Sequence, residues 1–107
     1  MHSAADIAFQ KITDRWTNHT ARITSLAFLS PSPTEPATHL ASTSLDTSLC
    51  IYSVTNITLT PKYVAIRGAA PGGGCAVVWL ECQEQGKGRL VSGGSDGCAR
   101  IWEVVLP

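Results

Sequence analysis

The chain has 107 residues, 44% of them hydrophobic and 15% charged, so it is long enough for one small domain and too apolar to stay disordered. Eight basic and eight acidic residues cancel and lie scattered without a like-charge block, which argues against nucleic acid and anionic membranes as partners. No run approaches the roughly 20 apolar residues that cross a bilayer, and the start carries no signal-peptide pattern, so a reducing cytoplasmic setting is expected.

The first twenty residues carry two overlapping patterns. Ala4, Ala8, Ile12 and Trp16 fall at helical spacing behind Ser3 and Asp6, while Ile7 and Phe9 alternate with polar or small neighbours as in a strand. The strand reading is preferred. Beyond this point short β-branched and aromatic runs alternate with turn formers, which predicts strands at about 23–28, 39–44, 48–53, 61–66, 74–79, 89–93 and 98–103. Three prolines between Ser30 and Pro36 cannot donate to a ladder and mark an exposed connection. Ser44-Leu45-Asp46-Thr47 and Gly94-Ser95-Asp96-Gly97 read as tight turns in which an Asp carboxylate accepts nearby N–H groups. Pro71-Gly72-Gly73-Gly74 lacks the Lys-Ser/Thr of a phosphate-binding loop and precedes a strand, so it reads as a flexible turn.

One internal repeat organises these runs. Leu40 to Val54 aligns without a gap on Leu90 to Val104, at an offset of 50 residues (96 minus 46; 102 minus 52). The expected architecture is all-β: one four-stranded antiparallel meander followed by three strands of another.

Cys50, Cys75, Cys82 and Cys98 show no Cys-x-x-Cys spacing and do not combine with His2, His19 or His39 in a zinc-like pattern. They are expected to be free thiols acting as small buried apolar groups. No cofactor or metal is implied.

The repeat resembles the WD-repeat family, whose unit has a Gly-His before the innermost strand, a Ser or Thr in the second, an Asp in the next turn and a Trp-Asp ending the third. His19, Ser42, Asp46 and Tyr52 take those positions in the first copy, with Asn18 before the His and Tyr52-Ser53 in place of Trp-Asp. In the second, Ser92, Asp96 and Trp102 match, Ala70 stands at the His position and Glu103 replaces the Asp. The resemblance implies a β-propeller fragment of two blades whose Asp, His, Ser/Thr and Trp form a buried hydrogen-bonded chain. Both chains are expected to be incomplete here, with Asp96 needing another donor and Tyr52 offering a hydroxyl at a different reach from an indole.

The resemblance also implies boundaries: 1–19 as the outer strand of a preceding blade and its leading turn, 20–67 as one blade, and 68–107 as a final, incomplete blade. Pro107 follows Glu103 by four residues, so the second blade is expected to lack its own outer strand and to be completed from elsewhere. Because about three repeats are generally needed for stability, the chain is expected to be a fragment, a truncated gene model, or a piece assembling with missing blades in cis or in trans.

Function follows from the same resemblance. A non-catalytic protein-interaction module is expected, with Arg22, Leu45 and Ser95 on one rim as candidate partner contacts. Leu45 is either an exposed anchor or packing against the neighbouring blade. Three segments are further similar to the actin-interacting protein 1 family, cytosolic double propellers that work with cofilin to disassemble actin filaments: Trp16 leading into Arg22–Phe28, Ser44–Val54, and Ser95–Leu106. That similarity implies actin and cofilin as partners and association with the cytoskeleton; the alternative is a WD-repeat scaffold subunit of an unrelated complex. A hydrolase using His19 with a Ser or with Asp46 is the rival class, and no Ser sits in a Gly-x-Ser-x-Gly elbow to support it.

Overall fold

A computed structural model describes residues 18–55, 62–83 and 86–107. The strand expected near Ile7 and Phe9, and Trp16, lie outside the described residues. Seven strands follow in order: β1 (Ile23–Leu29), β2 (His39–Ser44), β3 (Leu49–Ser53), β4 (Tyr63–Ile66), β5 (Gly74–Gln83), β6 (Lys87–Gly94) and β7 (Ala99–Val105). They form two antiparallel meanders, β1-β2-β3-β4 and β5-β6-β7. The expected all-β architecture and the three-stranded second sheet are both present; among the described residues no strand pairs with the outer edge of β7.

Register assigns each side chain to a face, because successive residues of a strand point to opposite sides. In the first sheet Ala27, Ala41 and Ile51 stand in one cross-strand row, and Phe28, Leu40 and Tyr52 in the row on the opposite face. In the second sheet the matching rows are Val78, Val91 and Ile101 on one face and Trp79, Leu90 and Trp102 on the other. The core is the seam between the sheets. Ala41, Leu49 and Ile51 of the first meet Val77, Leu90 and Val104 of the second, with Ala69 buried among them and Trp79, Trp102 and Leu106 closing the sides.

Polar groups fix how far one sheet can slide on the other. The Trp79 indole donates to the Ala27 carbonyl at 2.9 Å, the Thr24 hydroxyl to the Gly74 carbonyl at 2.7 Å, and the Val77 amide to the Ser25 hydroxyl at 3.3 Å. Each leaves a strand of one sheet and ends on the other, so the stacking has a register as well as an apolar area.

The glycine run between the sheets is structural. Gly72 and Gly73 adopt left-handed φ values of 83° and 114°, and Gly73 accepts hydrogen bonds from the Ser95 amide at 2.9 Å and hydroxyl at 3.3 Å. A side chain at Gly74 would start 2.8 Å from Cβ of Thr43. The turn expected at 71–74 is present, and at Gly74 the backbone approaches the neighbouring sheet too closely for a Cβ, a demand that only the tertiary packing makes visible. The cysteine expectation is corrected in part. Cys50 is buried, but Cys75 and Cys98 are exposed, and all three are free thiols.

Gly74→Ala is expected to destabilise the chain by about 1–3 kcal/mol through overpacking. Gly93→Ala, where no atom lies within 4 Å of the added carbon, is expected to stay within about 0.5 kcal/mol of the parent. Urea denaturation midpoints compare the two directly.

Candidate functional site

The β2–β3 and β6–β7 turns lie at one rim together with the chain leading into each sheet. Asp46 organises the first turn. Its Oδ1 accepts from the Ser48 amide at 2.9 Å and the Ser48 hydroxyl at 2.6 Å, and its Oδ2 accepts from the Thr20 amide at 2.9 Å and from His19 Nδ1 at 3.1 Å. Burial pushes the Asp46 carboxyl pKa up, but the hydrogen bonds from Ser48, Thr20 and His19 outweigh it and hold the group well below the usual carboxylate range.

An ionised carboxylate only accepts, so His19 Nδ1 carries the proton and Nε2 accepts from the Ser42 hydroxyl at 2.7 Å. The Tyr52 hydroxyl lies near Ser42 and Cys50. Burial first, and the neighbouring Cys50 next, push the Tyr52 hydroxyl pKa up, so it remains a donor. Three groups thus form one continuous chain, Ser42 to His19 to Asp46. The His, Asp and Ser positions of the first blade are joined, with Tyr52 at the strand position where the family has its Trp.

The second sheet retains only part of this arrangement. The Trp102 indole donates to the Ser92 hydroxyl at 2.9 Å, as the pattern requires. Ala70 occupies the position of His19 and has no ring to continue the chain. Asp96 takes Arg100 as its alternative donor, at 2.9 Å to Oδ2, along with the Cys98 amide at 3.1 Å. Arg100, then the Cys98 amide, hold the Asp96 carboxyl below its ordinary pKa. Unlike Asp46, this pair is exposed and stitches only across its own hairpin.

Arg22, Leu45 and Ser95 are brought together on this rim. The Leu45 amide donates to the Arg22 carbonyl at 3.0 Å, and the Leu45 side chain lies over Gly73, which Ser95 also grips. Leu45 stays 50% exposed, so it packs on the neighbouring sheet and still presents apolar surface. Sequence reasoning missed Gly73 as the residue joining Leu45 to Ser95; its place between a Pro and a strand gave no sign of it. At the opposite rim a cleft of about 500 Å³ opens between the Ser30–Pro33 loop and Trp79, Leu80 and Glu81.

The order Ser42, His19, Asp46 has the connectivity of a charge relay, but its serine cannot meet a substrate. Ser42 is 1% exposed and its oxygen is engaged by His19. The described residues also contain no group of three or more His, Cys, Asp or Glu placed to hold a metal ion. No helix among them is long and apolar enough to cross a membrane.

Two small antiparallel sheets, stacked face to face and each carrying an Asp in the turn after its second strand, define a β-propeller fragment. Residues 10–53 and 75–103 match the family described as WD domain, G-beta repeat, and the chain belongs to that family. It is 39% identical over 95 residues to an uncharacterized WD repeat-containing protein of Schizosaccharomyces pombe, covering 89% of this chain and 14% of that protein. It is 32% identical over 100 residues to a 66 kDa stress protein of Physarum polycephalum, covering 92% of this chain and 14% of that one. The chain thus spans about one-seventh of the length of these relatives. No solved structure matches it significantly.

His19→Ala is expected to cost roughly 1–3 kcal/mol for each partner it strands, Ser42 and Asp46, whereas Tyr52→Phe costs about 1 kcal/mol. The depressed Asp46 pKa means that the unfolded chain takes up a proton first as pH falls. Asp46 therefore contributes stability that is complete above the ordinary carboxylate pKa and is lost progressively on acidification below it. Asp46→Asn is expected to lower stability at neutral pH and to flatten the acid limb of the stability profile below about pH 4. Denaturation midpoints measured from pH 7 down to pH 3 check both.

Proposed function

We propose that the rim formed by Arg22, Leu45, Gly73 and Ser95 is a protein-docking surface, and that its partner is the cofilin-decorated actin filament. WD repeats serve in general as protein-interaction modules and non-catalytic scaffolds, and the reading for this chain follows that role. The single observation that carries the rim is Leu45: it is half exposed, yet fixed by the hydrogen bond from its amide to the Arg22 carbonyl and by its seat on Gly73. A rigid apolar anchor loses little conformational freedom on binding, which favours it as a contact. Support for actin is the likeness of Arg22–Phe28, Ser44–Val54 and Ser95–Leu106 to the actin-interacting protein 1 family. On this reading the chain supplies blades at 20–67 and 68–107 of a cytoplasmic, cytoskeleton-associated propeller that promotes filament disassembly.

Co-sedimentation tests the reading. The chain is expected to pellet with cofilin-decorated filaments, and Leu45→Glu to weaken that binding about tenfold or more. Pelleting that is absent, or that Leu45→Glu and Arg22→Glu leave unchanged, would reject the actin reading in favour of a scaffold role in another complex.

A further inference from the structure

The loop between β1 and β2 is used neither by the seam nor by the docking rim. It leaves β1 after Leu29, whose side chain is buried and whose carbonyl accepts from the Thr38 amide at 2.8 Å, so a fixed neck closes it at 29 and 38. Residues 30–37 project from that neck at the rim opposite the Asp turns. They lie off both sheet faces, so their exposure does not depend on which blades flank these two. The loop reads Ser30-Pro31-Ser32-Pro33-Thr34-Glu35-Pro36-Ala37 and holds two of the three Ser/Thr-Pro pairs of the chain; the third, Thr60-Pro61, lies outside the described residues.

The two Ser-Pro pairs are held differently. What confines Ser32 is slight: its carbonyl accepts from the Glu35 amide at 3.2 Å, and its hydroxyl shares a hydrogen bond with the Thr34 hydroxyl at 3.2 Å on the exposed surface. Pro33 in turn disfavours helical backbone at Ser32 and leaves it extended or in a turn. Ser30 is exposed and its hydroxyl makes no hydrogen bond among the described residues, yet it adjoins the neck. A protein kinase holds its serine and the flanking residues in an extended stretch, with the hydroxyl in line with bound ATP. With two residues on either side, Ser32 takes in 30–34, wholly within the loop. Presenting it opens one surface turn. The same stretch around Ser30 takes in Phe28 and Leu29, so presenting Ser30 pulls Leu29 out of the core and breaks the Leu29–His39 pairing of β1 with β2.

We propose that Ser32 is a phosphorylation site for a proline-directed Ser/Thr kinase, with ATP as the phosphoryl donor. The Ser32 oxygen attacks the γ-phosphorus in line. The bond from that phosphorus to the oxygen bridging it to the β-phosphate breaks, ADP leaves with the bonding pair, and the hydroxyl proton passes to the kinase's catalytic carboxylate. Pro33 selects the kinase class, because a proline after the serine has no N–H to offer and presents an apolar ring instead. The product carries about −1.5 to −2 charges on a cleft lined also by Phe28, Trp79, Leu80 and Glu81. Modification thus turns a mainly apolar cleft wall anionic, at the rim away from Leu45 and independently of the actin reading.

The 107-residue chain is incubated with ATP and a panel of proline-directed kinases, beside a synthetic peptide of residues 26–38 as an unfolded comparator, and the modified residue is mapped by mass spectrometry. The folded chain is expected to take a phosphoryl group at Ser32 at a rate within about tenfold of the peptide, because the turn to be opened is held by about one hydrogen bond's worth of stability. Its isoelectric point then falls below the parent's value of about 6.8. Ser32→Ala and Pro33→Ala are each expected to abolish incorporation in the loop, and Ser30→Ala to leave it unchanged, with far-UV circular dichroism confirming that each variant is folded. The peptide, in which no core holds Leu29, is expected to take phosphate at Ser30 as well. A folded chain modified more slowly than that tenfold margin overturns the proposal. So does incorporation at Ser30 or Thr60 in place of Ser32, or a panel in which no kinase modifies either substrate.

Discussion

The seam between the two sheets is the constraint on which the rest of the molecule depends. A three- or four-stranded meander has two faces and too little apolar area to be stable alone, so it must bury one against a neighbour. Here Ala41, Leu49 and Ile51 find Val77, Leu90 and Val104. The small side chains at Ala27 and Ala41 let the backbones come close enough for the Trp79 indole to reach the Ala27 carbonyl. The same closeness excludes a Cβ at Gly74, brings Gly73 beneath Leu45, and so builds the rim. The composition of the seam and the shape of the candidate docking surface are one fact seen from two ends.

Against this shared seam, the two blades are held unequally. The first has a buried polar chain from Ser42 through His19 to Asp46 that ties β2, the turn and the leading segment together. A fully connected network of this kind rigidifies, and a broken one leaves buried groups unsatisfied. The second blade avoids the broken state by moving its Asp to the surface and pairing it with Arg100, while Trp102 and Ser92 stay joined beneath. Its turn is accordingly held locally, across one hairpin, and the leading segment at Ala70 is held by backbone bonds, such as that from its amide to the Thr47 carbonyl at 3.1 Å.

Much of this was legible in the sequence, because strand alternation and turn chemistry are local. The seven strands, the two Asp turns, the proline-bearing loop and the three-stranded second sheet all follow from spacing and residue type. The Asp96–Arg100 partnership was foreseen as a need but not as a residue, although four positions across a tight turn is a reachable span. What stayed hidden is what depends on one sheet meeting the other. The glycine run looked flexible because nothing local reveals Thr43 at 2.8 Å from a virtual side chain. Cys75 and Cys98 were expected inside on residue type, yet they stand near strand ends that the partner sheet does not cover. Even the repeat offset carries a tertiary message: it is 50 along the second strands but 51 along the first (93 minus 43; 76 minus 25), so the Ala at position 70 is the counterpart of His19.

The account stands on the two sheets behaving as one cooperative body. Native-state hydrogen exchange followed by NMR tests that most directly, by comparing the amides of Ser42 and Ile51 in the first sheet with those of Leu90 and Trp102 in the second. A shared seam predicts that all four open in the same unfolding event, with equal free energies and equal denaturant dependence. Exchange of the second sheet at a lower free energy, while the first stays fully protected, would contradict it and would show that each sheet folds independently of the other.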